Sequence, residues 1–246
     1  MKQFIGILFL ALTFLGCNSE EGLDCFKKQG TQTTKVIFVE GFTKINISEG
    51  IELTVKQADE QTVKVVAGKN LINDIKLEAI EGELKVTDEN GCEILRNTSI
   101  AHIYVSTPSL EKIYSSSQFS IYSDGVLTFP ELTLESGIIE DTSASIFELE
   151  IDNDILRIND NVSSVFRIKG KTDQLGVNFW GANGRLEAEN LQATEVYINH
   201  RSTNDMIVYP VEKVSGSIRS TGNLVLKNIP SIIDVEQFYT GHIVYP

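Results

Sequence analysis

From residue 35 onward the chain alternates apolar and polar positions in short runs. Ile45 and Ile47, then Ile51, Leu53 and Val55, then Val63 and Val65 each alternate with polar neighbours. Ile75 and Leu77, Leu84 and Val86, and Ile103 and Val105 continue the pattern. A period of two is what a strand with one buried face produces. Turn residues separate the runs at Glu49-Gly50, Ala58-Asp59-Glu60, Glu81-Gly82 and Asp88-Glu89-Asn90-Gly91. Glu81-Gly82 is the clearest hairpin turn, because glycine takes positive φ at little cost. Lys69 to Asp74 read as one helical turn. Beyond Gly16 no amphipathic stretch is long enough for an ordinary helix. The predicted class is all-β.

Beyond Ser109 the texture becomes repetitive. The apolar positions Ile113, Leu134, Ile158, Val177, Ile198 and Ile218 recur at nearly even intervals, with a mean of about 21 residues. Each is followed by a small or polar segment, such as Tyr114-Ser115-Ser116-Ser117 or Asn159-Asp160-Asn161. In most units a second apolar pair follows: Phe119 and Ile121, Phe166 and Ile168, Ile207 and Tyr209, Leu224 and Leu226. A repeat of this length, with two short strands and a polar corner, predicts a β-solenoid whose coils stack into one continuous core; the alternative is an antiparallel sandwich with evenly spaced strands. The Leu-x-x-Leu-x-Leu register of leucine-rich repeats is absent. Residues 35–108 are expected as N-terminal strands that cap one end, and residues 109–246 as the solenoid. Val208-Tyr209-Pro210 recurs as Val244-Tyr245-Pro246. Proline removes a ladder donor, which suits the last strand to a blunt cap.

The segment before Cys17 follows different rules. Lys2 precedes an apolar run over residues 4–15, and Gly16-Cys17 closes it. A helix over that run rises only about 18 Å, short of a hydrocarbon core of roughly 30 Å. The segment therefore reads as a cleaved signal. Phe14-Leu15-Gly16-Cys17 resembles a bacterial lipobox, with Phe14 in place of the usual Leu and Leu15 bulkier than usual. The resemblance implies a diacylglycerol on the sulfur of Cys17, which becomes the mature N-terminus. The alternative is an ordinary signal peptide with an incidental cysteine. Residues 17–34 read as a polar tether. Ser19-Glu20-Glu21 resembles the surface-export tether of Bacteroidota lipoproteins.

Lipidation of Cys17 would leave Cys25 and Cys92 as an even pair in an oxidising compartment. Either they bond, closing the long loop between them, or both stay free. The formal net charge is −13, from 34 acidic and 21 basic residues. A nucleic-acid binder needs a basic face to neutralise phosphates, so that class is excluded.

The chain resembles the putative autotransporter adhesin head domain, the head GIN domain family common in Bacteroidota lipoproteins. FTKINI at 42–47, GIELTVKQ at 50–57, GKNL at 68–71, GELKV at 82–86 and VSTPSLEKI at 105–113 carry it, with the Ser/Gly-rich corners. It spans nearly all of residues 35–246. The resemblance implies a right-handed β-helix-like solenoid; the family's biochemical role is poorly defined. Several of its Ser-Gly-Ser corners are replaced here, by Asn159-Asp160-Asn161 and Asn199-His200-Arg201 among others.

Chemistry-bearing residues are sparse. His102, His200 and His242 lie in separate units, and no metalloprotease, nucleophile-elbow, phosphate-loop or dinucleotide fingerprint occurs. Asp152, Asp154 and Asp160 cluster around the 155–158 strand, the best calcium candidate. They lack an EF-hand order and a closing Glu, and corner Asp and Asn side chains more commonly bond their own backbone, so no metal is expected. They would also be the start of a sugar-cleaving acid pair if they converged in a groove with a Lys or Arg. Asn159, Asn178 and Asn199 each follow a repeat position and would stack as an amide ladder. Phe179-Trp180-Gly181 is the one corner with exposed-looking aromatics, and Tyr197 belongs to the next coil. Aromatic side chains bury area with little entropy loss, so Trp180, Phe179 and Tyr197 are the candidate ligand contacts; the competing reading is a core role for Phe179 or Trp180. The expectation is a non-enzymatic cell-envelope lipoprotein of the outer membrane without a cofactor. It would bind a carbohydrate or an envelope protein. The competing expectation is a polysaccharide-acting hydrolase or lyase.

Overall fold

A computed structural model describes residues 30–39, 41–89, 100–138 and 144–246. Cys17, Cys25, Cys92, the signal and the tether through residue 29 lie outside the described residues. No helix among the described residues is long and apolar enough to cross a membrane.

The strands are β1 (Gln32–Ile37), β2 (Lys44–Ile47), β3 (Ile51–Gln57), β4 (Thr62–Gly68), β5 (Ile75–Ile80), β6 (Glu83–Asp88), β7 (Ala101–Thr107), β8 (Lys112–Ser115) and β9 (Ser120–Leu127). They continue as β10 (Glu131–Ser136), β11 (Ile146–Asp160), β12 (Val165–Phe179), β13 (Arg185–His200), β14 (Met206–Ile218), β15 (Leu224–Leu226), β16 (Ile232–Gln237) and β17 (Ile243–Val244). The expected helical turn is a single 3-10 turn at Ile72–Asp74. Glu81 and Gly82 both adopt positive φ between β5 and β6, as the two-residue hairpin turn requires.

The chain coils into a β-solenoid of about six turns. Its two long faces are parallel ladders. The first ladder runs β6–β2–β8–β10 and then through residues 155–160, 174–179, 195–200 and 213–218 to β16. The second runs β7–β3–β9 and then through 146–151, 165–170, 185–187 and 206–208 to β15 and β17. Each of β11 to β14 thus serves both faces. The parallel stack reaches back to Lys44, through the region the sequence suggested as separate strands. Antiparallel pairing is confined to the pairs β1–β4, β4–β7 and β5–β6 among the described residues, at the N-terminal edges.

The inward positions form columns. On the first face Ile45, Ile113, Leu134, Ile158, Val177 and Ile198 follow one another in register and are fully buried. On the second, Leu53, Ile121, Phe147, Phe166, Leu186, Met206 and Leu224 do the same. Phe147 stacks on Phe166 with ring centroids 4.7 Å apart. Two expected positions move. Met206 and Val208 point inward, not Ile207 and Tyr209. Gly216, not Ile218, follows Ile198. Gly216 has φ +123, and a Cβ there would overlap the Ile198 carbonyl oxygen. The corner after the first face buries hydroxyls beside its hydrocarbon. Ser145 Oγ donates to Ser117 O at 2.6 Å, Ser164 Oγ to Ser136 Oγ at 2.9 Å and Ser202 Oγ to Gly184 O at 2.6 Å.

Gly216→Ala and Gly125→Ala separate conformational strain from collision. Both glycines have positive φ, but a methyl group added at Gly125 would meet nothing within 4 Å. Strain alone costs about 1–3 kcal/mol. Urea denaturation should show Gly216→Ala to be clearly the more destabilising; equal losses would mean that the close approach to Ile198 does not matter.

Candidate ligand-binding face

The register decides where the aromatic candidates go. Phe179 pairs with His200 and points inward, fully buried, with its ring 5.9 Å from that of Phe166. It is a core residue and no ligand can reach it. Trp180, one position on, turns outward at the corner and is 51 % exposed. Tyr197 stands in mid-strand on the first face, 54 % exposed and directly opposite Gly176. Trp180 and Tyr197 are therefore not gathered at one spot.

Gly176 is what makes a site beside Tyr197. In its row Lys112, Thr133, Arg157, Gly176, Tyr197 and Ser215 follow one another. The missing side chain leaves a notch between Arg157 and Tyr197, a shallow cavity of about 230 Å³. Gln174, Asn178, Glu195 and Ser215 also line it. Glu131 holds Arg157 at 3.0 Å. A tyrosine ring with amide, hydroxyl and carboxylate groups around it can stack on a flat ligand and hydrogen-bond its edge.

The amide ladder forms in part. Asn178 Nδ2 donates to Asn159 Oδ1 at 3.1 Å, and Asn159 Nδ2 to Glu135 Oε1 at 3.1 Å. Lys112 closes the row on Glu135 at 2.7 Å. Asn199 continues it in register only.

The second face carries a feature that the residue pattern did not signal. Arg167 sits between Glu148 at 2.7 Å and Glu187 at 2.8 Å, and Lys169 meets Glu150 at 3.0 Å. Successive register shifts at Glu148/Glu150, Arg167/Lys169 and Glu187/Gln192 bend the strands here, as bulges do. A groove of about 410 Å³ results, lined also by Tyr122, Glu189 and Asn190. The hydrogen bond from Arg167 lowers the Glu187 pKa, and Glu187 and Glu148 raise that of Arg167. A general acid needs the opposite shift, a carboxyl kept protonated near neutral pH. The groove is built to hold charge pairs.

Asp152, Asp154 and Asp160 do not converge. Asp152 and Asp154 are exposed in the middle of β11, and Asp160 lies at the far end of that strand, fully buried. No group of three metal-binding side chains occurs among the described residues. Asp160 enters the column Ser136–Asp160–Phe179–His200–Ile218 inside the hydroxyl-lined corner. Burial pushes its pKa up to about 7, opposed by the Ser164 hydroxyl and the Val162 and Ser164 amides. Those donors approach, but none reaches either oxygen in good hydrogen-bond geometry. Burial likewise lowers His200 to about 4, and neither ring nitrogen has a partner. Near neutral pH both side chains fit the corner best uncharged.

A family model described as putative auto-transporter adhesin, head GIN domain, matches residues 41–230. No curated protein matches the sequence. Among solved structures, a putative adhesin from Bacteroides fragilis superposes with TM-score 0.77 at 16 % identity, over 88 % of this chain and 97 % of that one. A putative lipid binding protein from Parabacteroides distasonis gives 0.65 at 18 % identity, over 88 % and 97 %. A putative adhesin from Parabacteroides merdae gives 0.60 at 12 % identity, again over 88 % and 97 %. At these identities the likeness is one of fold.

The buried corner has a pH signature. Asp160 costs stability as pH rises from 3.8 to about 7, because only the unfolded chain loses its proton freely. His200 costs stability as pH falls from 6.5 to about 4, because only the unfolded chain gains one freely. The two slopes oppose each other. Relative to the native chain, Asp160→Asn should make stability rise with pH across that window, by up to about 1.4 kcal/mol per pH unit. His200→Gln should tilt it the other way. Urea midpoints between pH 4 and 7 that keep the native slope in both variants would contradict this account.

Proposed function

We propose that this chain, which belongs to the putative auto-transporter adhesin, head GIN domain family, is a non-enzymatic binding module of the cell envelope. The notch beside Tyr197 carries the reading. There an exposed aromatic ring, two amides and a hydroxyl meet on a broad, rigid sheet face. Sites on regular elements hold their side chains more firmly than sites on loops. The ligand class is a carbohydrate or an envelope protein.

A lipid on Cys17 would anchor the module to the outer membrane, with the polar stretch to residue 34 as its tether. A bond between Cys25 and Cys92 would tie the tether to the solenoid, close in sequence to the end of β6. Two ladder faces with polar outward rows then stand away from the bilayer and offer contact surface. A polysaccharide-cleaving reading is weaker, because the carboxylates gathered around Arg167 are charge-paired and Glu187 is held ionised. The groove around Arg167 is lined mainly by charged and polar groups, and the shallow Tyr197 notch mixes such groups with Ile155, Leu175 and Val196, a combination that suits sugar or peptide better than an acyl chain.

Cys17→Ser should move the full-length protein from the membrane fraction to the soluble one and abolish incorporation of labelled palmitate. Continued labelling would show that the lipid is not on Cys17. Tyr197→Ala in the anchored protein should weaken adhesion of whole cells or isolated envelopes several-fold, since an aromatic contact contributes about 0.5–1.5 kcal/mol beyond area. Undiminished adhesion would remove the notch from the binding surface.

A further inference from the structure

At the corner where the first face passes into the second, the outward residues form a column of their own. Trp180 N donates to Asp160 O at 2.9 Å, Arg201 N to Phe179 O at 3.1 Å, Arg219 N to His200 O at 2.8 Å and Phe238 N to Ile218 O at 2.9 Å. Trp180, Arg201 and Arg219 each follow a buried ladder residue, and Phe238 follows Gln237, which pairs with Ile218 at the end of the stack. Trp180, Arg201, Arg219 and Phe238 therefore stand in four successive coils, with backbones about 4.8 Å apart. All four are exposed, Trp180 to 51 % and Phe238 to 55 %.

The two arginines are unusual in this chain. The other three described arginines are each paired with a glutamate. Neither Arg201 nor Arg219 has a carboxylate partner among the described residues, in a protein of net charge −13. The Arg219 guanidinium lies 4.0 Å over the Phe238 ring, and its Nε donates to Ser217 Oγ at 3.0 Å. Those two contacts hold the group in place and leave its terminal N–H donors free. Asp205 is engaged by the Asn223 amide at 2.8 Å. Glu236 borders the column one coil beyond Ser217. Alongside run Asn178, Asn199 and Ser217, two positions before Trp180, Arg201 and Arg219 respectively.

We propose that the corner column Trp180–Arg201–Arg219–Phe238 is a binding site for an acidic sugar chain, one whose rings bear carboxylates. Two unpaired guanidinium forks one coil apart offer planar, bidentate donors to successive carboxylates. The flanking aromatic rings supply faces for sugar rings, and the amide and hydroxyl row supplies partners for sugar hydroxyls. A neutral chain could accept hydrogen bonds from both arginines but would leave their charge unmatched. The proposal rests on the binding reading above but names a different surface from the Tyr197 notch.

Trp180 is the sole tryptophan of the chain, so tryptophan fluorescence reports on this corner alone. Purified whole protein titrated with oligogalacturonate should show a saturable change in Trp180 emission that weakens as salt is added. The double variant Arg201→Gln/Arg219→Gln should lose affinity at least about tenfold while keeping its melting temperature. The methyl-esterified oligomer of equal length should bind at least about tenfold more weakly than the acid form. An unchanged emission, equal binding of the ester, or equally tight binding of oligothymidylate would each overturn the proposal. Retained adhesion through Tyr197 alongside any of these results would leave the broader binding reading in place.

Discussion

The backbone ladder between successive coils is the constraint on which everything else depends. Parallel strands about 4.8 Å apart must align residue with residue. Once β11 is laid on β9 and β10, every inward position of β12, β13 and β14 is assigned. The columns Ile45 to Ile198 and Leu53 to Leu224 follow from that register, and so do the rows on the outside. A shift of one residue would turn each apolar column to solvent. Register is held where packing is least forgiving, at the stacked phenylalanines and at Gly216 beneath the Ile198 carbonyl.

The corners solve a different problem. Small hydroxyl side chains line the turn and bond the carbonyls of the coil before. Asp160 and His200 occupy the same inward column, where serine would be the simpler occupant. Burial disfavours the charged form of both, at a cost that acts in opposite pH directions. The arrangement joins a polar sequence signature to a packing role: the charge that looked available for a metal is enclosed.

The ladder spaces the outside rows as regularly as the core. A glycine in one row opens the notch beside Tyr197. A run of bulges opens the groove around Arg167 and fills it with ion pairs. Repetition is also what brings Trp180, Arg201, Arg219 and Phe238 into one line although each comes from a different coil of the chain. Exposed ion pairs contribute little to stability, so the paired glutamates and arginines of the second face chiefly shape a surface, whereas unpaired arginines keep their donors for a ligand.

The alternation of Ile45, Ile47, Ile51, Leu53 and Val55 and the even recurrence of Ile113, Leu134, Ile158, Val177 and Ile198 were enough to determine an all-β solenoid. Periods of two and of one coil are printed directly in the residues. Glu81-Gly82 declared its hairpin for the same reason. Sequence could not choose between Met206/Val208 and Ile207/Tyr209, since both pairs are apolar, nor see that Gly216 occupies an inward site. It also could not separate Phe179 from Trp180, adjacent aromatics sent to opposite sides by a pairing with the next coil. The dispersal of Asp152, Asp154 and Asp160, the clamp on Arg167 and the line of Trp180 with Arg201 and Arg219 were decided by tertiary structure alone. Which residues share a face depends on inter-coil register, and register is a property of strands packed against one another, not of any strand by itself.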